Sequence, residues 1–330
     1  MDAKSFKPKM KAITSLLSAP IPSVASAKAD GEFCLVHYQR GVGIQTFNVW
    51  GKSRTEANLF ALIGLREELE QQDIFSATFK AELLWMENGI PKRLPEFLKH
   101  KNSPYLHIGL FDLVERDGQH FDYTSLIVKL AEIDKITRPF NKTYYSILPY
   151  ASIINLDQLT TIYGEWMAKG YEGIVLTDHS NVIWKLKPLN EVDAVIVGIN
   201  KRPKLKNGEV TSIKVALVSE SGMFHDLSDV ASGIEYELRT ELFKLLDMKT
   251  KLGDEKDTIR VKPMIVCTIG YQETFSNDAK PFYSYNADEE RYMRKGDHSF
   301  VSLRSPRLLR FRPDKKPVCD DVGFDQLPDE

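Results

Sequence analysis

The chain of 330 residues has a formal net charge of −2 and is 42% hydrophobic, enough apolar material for two compact domains of ordinary size. That balance excludes a globally basic nucleic-acid binder, although steering by a local basic face depends on where charges lie rather than on their sum. Three scattered cysteines, Cys34, Cys267 and Cys319, argue against structural zinc and a disulfide framework; the N-terminal stretch lacks the apolar core of a signal peptide, and no run of about 18 apolar residues offers a membrane span.

A soluble cytoplasmic protein is therefore expected. The first strand signal is "EFCLVHY" (residues 32 to 38), where Phe33, Leu35, Val36 and Tyr38 follow an Asp30-Gly31 turn. "TEANLFALIGLREELEQQ" then places Leu59, Leu62, Ile63 and Leu69 at helical spacing. Strand-like "ATFKAELLW" and "YLHIGLFDLV" follow. Helical spacing returns in "YTSLIVKLAEID", with Leu126, Leu130 and Ile133, and in "LDQLTTIYGEWMAKG", with Leu159, Ile162 and Trp166. Gly170 is a plausible glycine stop for the latter. "EGIVLTD" and "VIWKLKP" flank "HSN" and read as a hairpin. This mixture predicts an α+β domain built on antiparallel sheets over residues 1–188.

After Pro188 the texture changes. "VDAVIVGI", "VTSIKVALV", "TIRVKPMIVCTIGY" and "SLRSPRLLRFR" are strand candidates, and "GIEYELRTELFKLLDM" is the clear helix. Several strands and a helix over residues 189–330 fit a β-barrel of the oligonucleotide-binding (OB) type, ending in an acidic tail, "CDDVGFDQLPDE".

The chemistry begins with Lys28, two residues before Asp30-Gly31. Taken alone it reads as a solvated loop lysine; the competing reading is a nucleophile held beside a carboxylate at a pocket mouth. Five stretches in order bear on the choice: "KADG" from Lys28, "KSR" ending at Arg54, "AELLW" with Glu82, "YEGIV" with Glu172, and "WKLKP" with Lys185 and Lys187. Phe111-Asp112 lies between the third and the fourth, and "SLRSPRLLRFRPDK" closes the series at residues 302 to 315. Together these resemble the nucleotidyltransferase motifs of the ATP-dependent DNA ligase family, whose superfamily includes RNA ligases and mRNA capping enzymes. The likeness runs from about residue 20 to 316.

The resemblance implies a role for each position. Lys28 would be the nucleophile that takes AMP from ATP as a phosphoramidate, which requires a deprotonated amine. Lys185, Lys187 and a bound metal would supply the positive neighbours that favour that form. Glu172 and Asp30 would place Mg²⁺, or Mn²⁺ in its stead. Glu82 would accept from the ribose, and Phe111 would stack on adenine. Ser53 and Arg54 would hold the phosphate backbone of the nicked strand, while Arg312 and Lys315 would orient the β- and γ-phosphates after a hinge motion near residues 187 to 192. The implied activity is sealing of 5′-phosphate/3′-hydroxyl nicks in duplex DNA through lysyl-AMP and DNA-adenylate. The implied enzyme is a monomer, nucleoid-associated if cellular, with room for an accessory DNA-binding partner. The competing functions are an RNA ligase, a GTP-using capping enzyme, and a nucleic-acid-binding module that lost its chemistry.

Three departures from the family pattern stand out. Phe33 occupies the place of the arginine in K-x-D-G-x-R, Ser26 that of an acid two residues before the lysine, and Lys80-Ala81-Glu82 replaces D-G-E. The 27 residues ahead of Lys28 leave no space for a nicotinamide-recognition domain, so ATP is expected rather than NAD. Outside the constellation, Glu82 and Glu172 read as exposed carboxylates and Phe111 as plain core. "NKRPKLKNG" (200 to 208) reads as a solvated hairpin tip that could also track phosphates. His37, His107 and His179 have no ligand spacing and read as structural or exposed.

Overall fold

The computed structural model describes residues 3–137, 144–201, 210–235 and 258–327, together with 237–242, 244 and the backbone of 251–255. The chain forms two compact units, Met1–Pro188 and Leu189–Glu330.

The first unit contains two large, mainly antiparallel sheets and a short hairpin of Met86–Glu87 with Ile90–Pro91. One runs Met10–Ile13, Ile183–Leu186, Gly173–Asp178, Ser23–Lys28, Tyr150–Ile153, with only the first pair parallel. Ala25, Ala27, Ile174 and Leu176 on its buried face pack against Leu159 and Trp166 of helix Leu156–Ala168. Asn155 starts that helix by accepting from the Gln158 N–H at 2.9 Å, satisfying one of the donors a helix start leaves over.

The other sheet runs Gln119–His120, His107–Arg116, Ser76–Leu84, Glu32–Gln39, Gly43–Asn48, Ser53–Thr55, with Tyr145–Ile147 added parallel to His107–Arg116. Alternate residues Val36, Tyr38, Phe79 and Ala81 face helices Ala61–Gln71 and Leu126–Thr137, as the period of two requires. One residue of the expected helical stripe is misplaced: Ile63 is 37% exposed, and Leu65 takes the buried position. The hairpin expected around "HSN" is present as Gly173–Asp178 paired with Ile183–Leu186.

In the second unit, strands run in the order Lys251–Glu255, Thr258–Val261, Asn190–Lys201, Val210–Val218, Phe224–Val230, Thr274–Asn286, Arg291–Leu303. Val266–Tyr271 pairs with both Asn190–Lys201 and Arg307–Phe311. The OB-type ring is not closed by a continuous ladder among the described residues. Phe224–Val230 meets the last strand through one parallel bridge, Ser232 to Arg307, where the Leu308 N–H donates to Ser232 O at 2.9 Å. Part of the free edge of Phe224–Val230 pairs with the Thr274–Asn286 hairpin instead.

Sequence periodicity did not anticipate that hairpin, or Phe224–Val230, whose buried His225 and Asp226 break the apolar alternation. "TIRVKPMIVCTIGY" and "SLRSPRLLRFR" each divide into two strands, at Pro263 and at Ser305-Pro306, because proline has no N–H to give the ladder. The expected helix from Gly233 to Met248 is helical over 237–242 and otherwise lies partly outside the described residues, as do 202–209 of the basic loop. No described helix is long and apolar enough to cross a membrane.

Candidate active site

Two glycines bring the motif side chains together. Gly173 lies opposite Lys28 in the pairing of Ser23–Lys28 with Gly173–Asp178, and a Cβ there would fall 2.2 Å from Leu186 O. With only a hydrogen at that point, the Glu172 N–H donates to Lys28 O at 2.7 Å. The Glu172 side chain is then shared: Oε2 accepts from Lys28 Nζ and Oε1 from Lys187 Nζ. Gly31 has the same role at the turn, where a Cβ would fall 2.0 Å from Leu83 O. That close approach lets the Gly31 N–H donate to the Glu82 carboxylate on strand Ser76–Leu84.

The charges are coupled. Glu172 is 5% exposed, so its two ion pairs are what make its charge tolerable there. Burial pushes the Lys187 ammonium below its ordinary pKa, Lys28 adds to that, and Glu172 opposes it. Burial also pushes Glu82 up to about 7, against the pull of Lys28 and the Gly31 N–H and with repulsion from Glu172. Asp30 is buried within the field of Lys187, and its Oδ2 accepts from the Leu94 N–H at 2.9 Å, at the start of helix Leu94–His100. Asp30 and Glu172 are the hard oxygen donors of this cluster, the chemistry that Mg²⁺ prefers.

Lys28, Glu82 and Phe111 line one cleft of about 250 Å³, with Ser26 and Val175 among its walls. A β-bulge explains how Phe111 reaches it. Along His107–Arg116, Leu110 pairs with Ala81 and Asp112 with Lys80, so Phe111 is the extra, unpaired residue. Bulges re-aim side chains in this way. Phe33, in the position of the missing arginine, is a buried core residue with its ring 6.2 Å from that of Phe111. Lys185 is half-buried, pairs in register with Val175, and makes no ion pair among the described residues. Of the two lysines on that segment, only Lys187 meets Glu172.

Ser53 and Arg54 lie on another cleft of the same unit, of about 740 Å³, which also presents Lys7, Lys52 and Lys101. Arg54 donates to Lys101 O at 2.7 Å and lies 3.5 Å from Glu32 Oε2, so the guanidinium is held in place. Arg312 and Lys315 belong to the second unit. Both pair with Asp193 Oδ2, at 2.7 and 2.8 Å, and Arg312 is also clamped by Asp314. Burial alone would raise Asp193, but Lys315, Thr268 and Arg312 hold it below the usual carboxylate range. Sequence reasoning missed the group around Asp112, where Lys80 and Lys129 converge; the available signal was the lysine in place of the first residue of D-G-E.

No protein-family model matches the chain. It is 24% identical over 259 residues to DNA ligase 2 of Methanosarcina acetivorans, covering 72% of this chain and 43% of that protein. It is 26% identical over 238 residues to a DNA ligase of Sulfophobococcus zilligii, covering 63% and 37%. The chain thus spans about two-fifths of the length of these curated relatives. Among solved structures it resembles Pmar-Lig_Pre, with a TM-score of 0.62 and 16% identity over 92% of this chain and 67% of that one. It also resembles a Lig E DNA ligase, with a TM-score of 0.50 and 13% identity over 92% and 100%. The fold is that of a nucleotidyltransferase domain followed by an OB-fold domain. Its curated relatives are DNA ligases, at 24 to 26% identity.

Proposed function

We propose that the protein is an ATP-dependent DNA ligase, with adenylation carried by residues 1–188 and an OB-fold domain in 189–330. The observation that carries the proposal is the sharing of Glu172 between Lys28 and Lys187, beside a cleft lined by Phe111 and Glu82. In the first step the Lys28 amine attacks the α-phosphorus of ATP. A P–N bond forms, the bond to the bridging oxygen breaks, and pyrophosphate leaves. Glu172, hydrogen-bonded to Nζ, is placed to take the proton released. Phe111 stacks on the adenine, Glu82 accepts from the ribose, and Lys185 and Lys187 add positive charge near the phosphates. Asp30 and Glu172 would hold Mg²⁺, or Mn²⁺, which when bound would neutralise phosphate charge.

A 5′-phosphate oxygen of the nick then displaces Lys28 from the adenylate, and the 3′-hydroxyl displaces AMP from the 5′-phosphorus to leave a phosphodiester. Ser53 and Arg54 hold nick phosphates; Arg312 and Lys315 serve the β- and γ-phosphates of ATP. Action as a monomer on nicked duplex DNA, with a cytoplasmic or nucleoid location and an accessory DNA-binding partner, belongs to the same proposal and rests on the family resemblance. The test is incubation with [α-³²P]ATP or GTP and Mg²⁺, followed by nicked DNA and nicked RNA duplexes. An acid-labile protein label from ATP that is chased into sealed DNA is the expected result. No label from either nucleotide would leave only a binding module.

A further inference from the structure

Lys80 has no task in the adenylation scheme, although it replaces the acid of the family's third motif. Its Nζ lies 2.7 Å from Asp112 Oδ2, and Lys129 Nζ, from helix Leu126–Thr137, lies 3.2 Å from Asp112 Oδ1. All three side chains line the cleft that holds Lys28, Glu82 and Phe111. The bulge at Phe111 sets Asp112 opposite Lys80. One lysine would be enough to tie the helix to the sheet through Asp112. A second cation, with its side chain only 19% exposed, brings ammonium donors beyond what that tie needs into a cleft whose other acids are Glu82 and Asp122.

The donors and acceptors of the pair fit one kind of ligand. An ammonium has three donors and a carboxylate about four lone-pair sites, so Lys80 and Asp112 retain capacity beyond their mutual bond. They present a donor and an acceptor side by side. Adenine carries an N1 acceptor beside an N6 amine donor, and guanine carries the reverse order, an N1–H donor beside an O6 acceptor, so a base held in one orientation matches the pair only as adenine.

We infer that Lys80 and Asp112 select the base of the nucleotide, Lys80 donating to adenine N1 and Asp112 accepting from the N6 amine, with Lys129 positioning Asp112. This rests on the proposed adenylation reading. The test uses the full chain with Lys28→Ala, which cannot form the adenylate, and equilibrium binding of four nucleotides. These are ATP, GTP, 1-deaza-ATP (C–H in place of N1) and purine riboside triphosphate (no N6 amine). GTP and both analogues should bind about tenfold to a hundredfold more weakly than ATP, the effect of a lost hydrogen bond to a charged group. Adding Lys80→Met should erase the preference for ATP over 1-deaza-ATP while keeping that over purine riboside triphosphate. Equal binding of ATP and 1-deaza-ATP before Lys80 is changed overturns the inference alone, as does a Lys80→Met chain that weakens every nucleotide equally. Absence of any nucleotide binding overturns the adenylation reading with it.

Discussion

A hydrogen atom at Gly173 decides whether Lys28 and Glu172 can meet. Gly173→Ala would force a Cβ to within 2.2 Å of Leu186 O, in a pairing that cannot open without losing the Glu172 N–H bond to Lys28 O. The expected cost is about 1–3 kcal/mol of stability, the usual range for overpacking, with adenylation falling further than stability explains. A urea midpoint and a lysyl-AMP label on the same preparation separate the two effects; normal labelling would show that the contact is dispensable. Lys28→Ala should abolish the label and still seal a pre-adenylated nick at reduced rate, since in the proposed scheme the amine is the nucleophile of the first step and has no part in the last; a label surviving on this variant refutes the assignment. Lys28, Glu172 and Lys187 were legible as motif residues because the chemistry demands those side chains. The unequal standing of Lys185 and Lys187 was not. A period of two puts both on one face, and only the chain's path past Leu186 takes Lys187 to Glu172.

Strands place groups that their own sequence does not explain. His107 begins His107–Arg116, is buried there, and shares a 2.8 Å hydrogen bond with Ser146 Oγ of the neighbouring strand. Burial pushes its pKa down to about 4. A lowered folded-state pKa means that the unfolded chain binds the proton first. The stability contribution is thus full above the ordinary value near 6.5 and is lost as pH falls towards 4. The slope is about 1.4 kcal/mol per pH unit for one histidine. His225, in the second unit, is likewise pushed down to about 4 by burial and by His298, and acts in the same direction. His107→Gln should therefore flatten the acid limb of the first unit between about pH 6.5 and 4. Urea titrations at pH 7 and 5 measure this, and an unchanged limb would place the acid sensitivity elsewhere. The same strand carries the bulge that turns Phe111 to the cleft, a feature invisible to alternation because it depends on the register against Ser76–Leu84. In the second unit, Arg312 and Lys315 share Asp193. Their replacement by alanine should damage lysyl-AMP formation far more than sealing of a pre-adenylated nick, because their proposed targets leave with pyrophosphate. Equal loss in both steps would assign them to folding or DNA binding.

On the proposed reading, a protein with a net charge of −2 has to grip a polyanion through few, local cations. Lys7, Lys52, Arg54 and Lys101 gather on one cleft, while Phe33 fills the position where a family arginine would add to them. Each phosphate contact contributes about 0.9 to the slope of log affinity against log salt, so about four to six contacts predict a loss of two to three decades between about 50 and 200 mM. Arg54→Ala should flatten the slope by about one unit. Nick binding by the adenylated protein across a salt series tests both; a slope near zero would sink the nicked-duplex reading. The mixed helix and sheet class, and Lys28 and Glu172 as motif residues, were readable in advance, because periodicity and short motifs are local and the proposed chemistry restricts the residue types. The single bridge at Ser232 and Arg307, the long hairpin from Thr274 to Leu303, and the meeting of Lys80, Asp112 and Lys129 were decided only when distant segments packed. Strand partnership and ion pairing depend on register and burial, and both are properties of two segments at once that neither segment encodes alone.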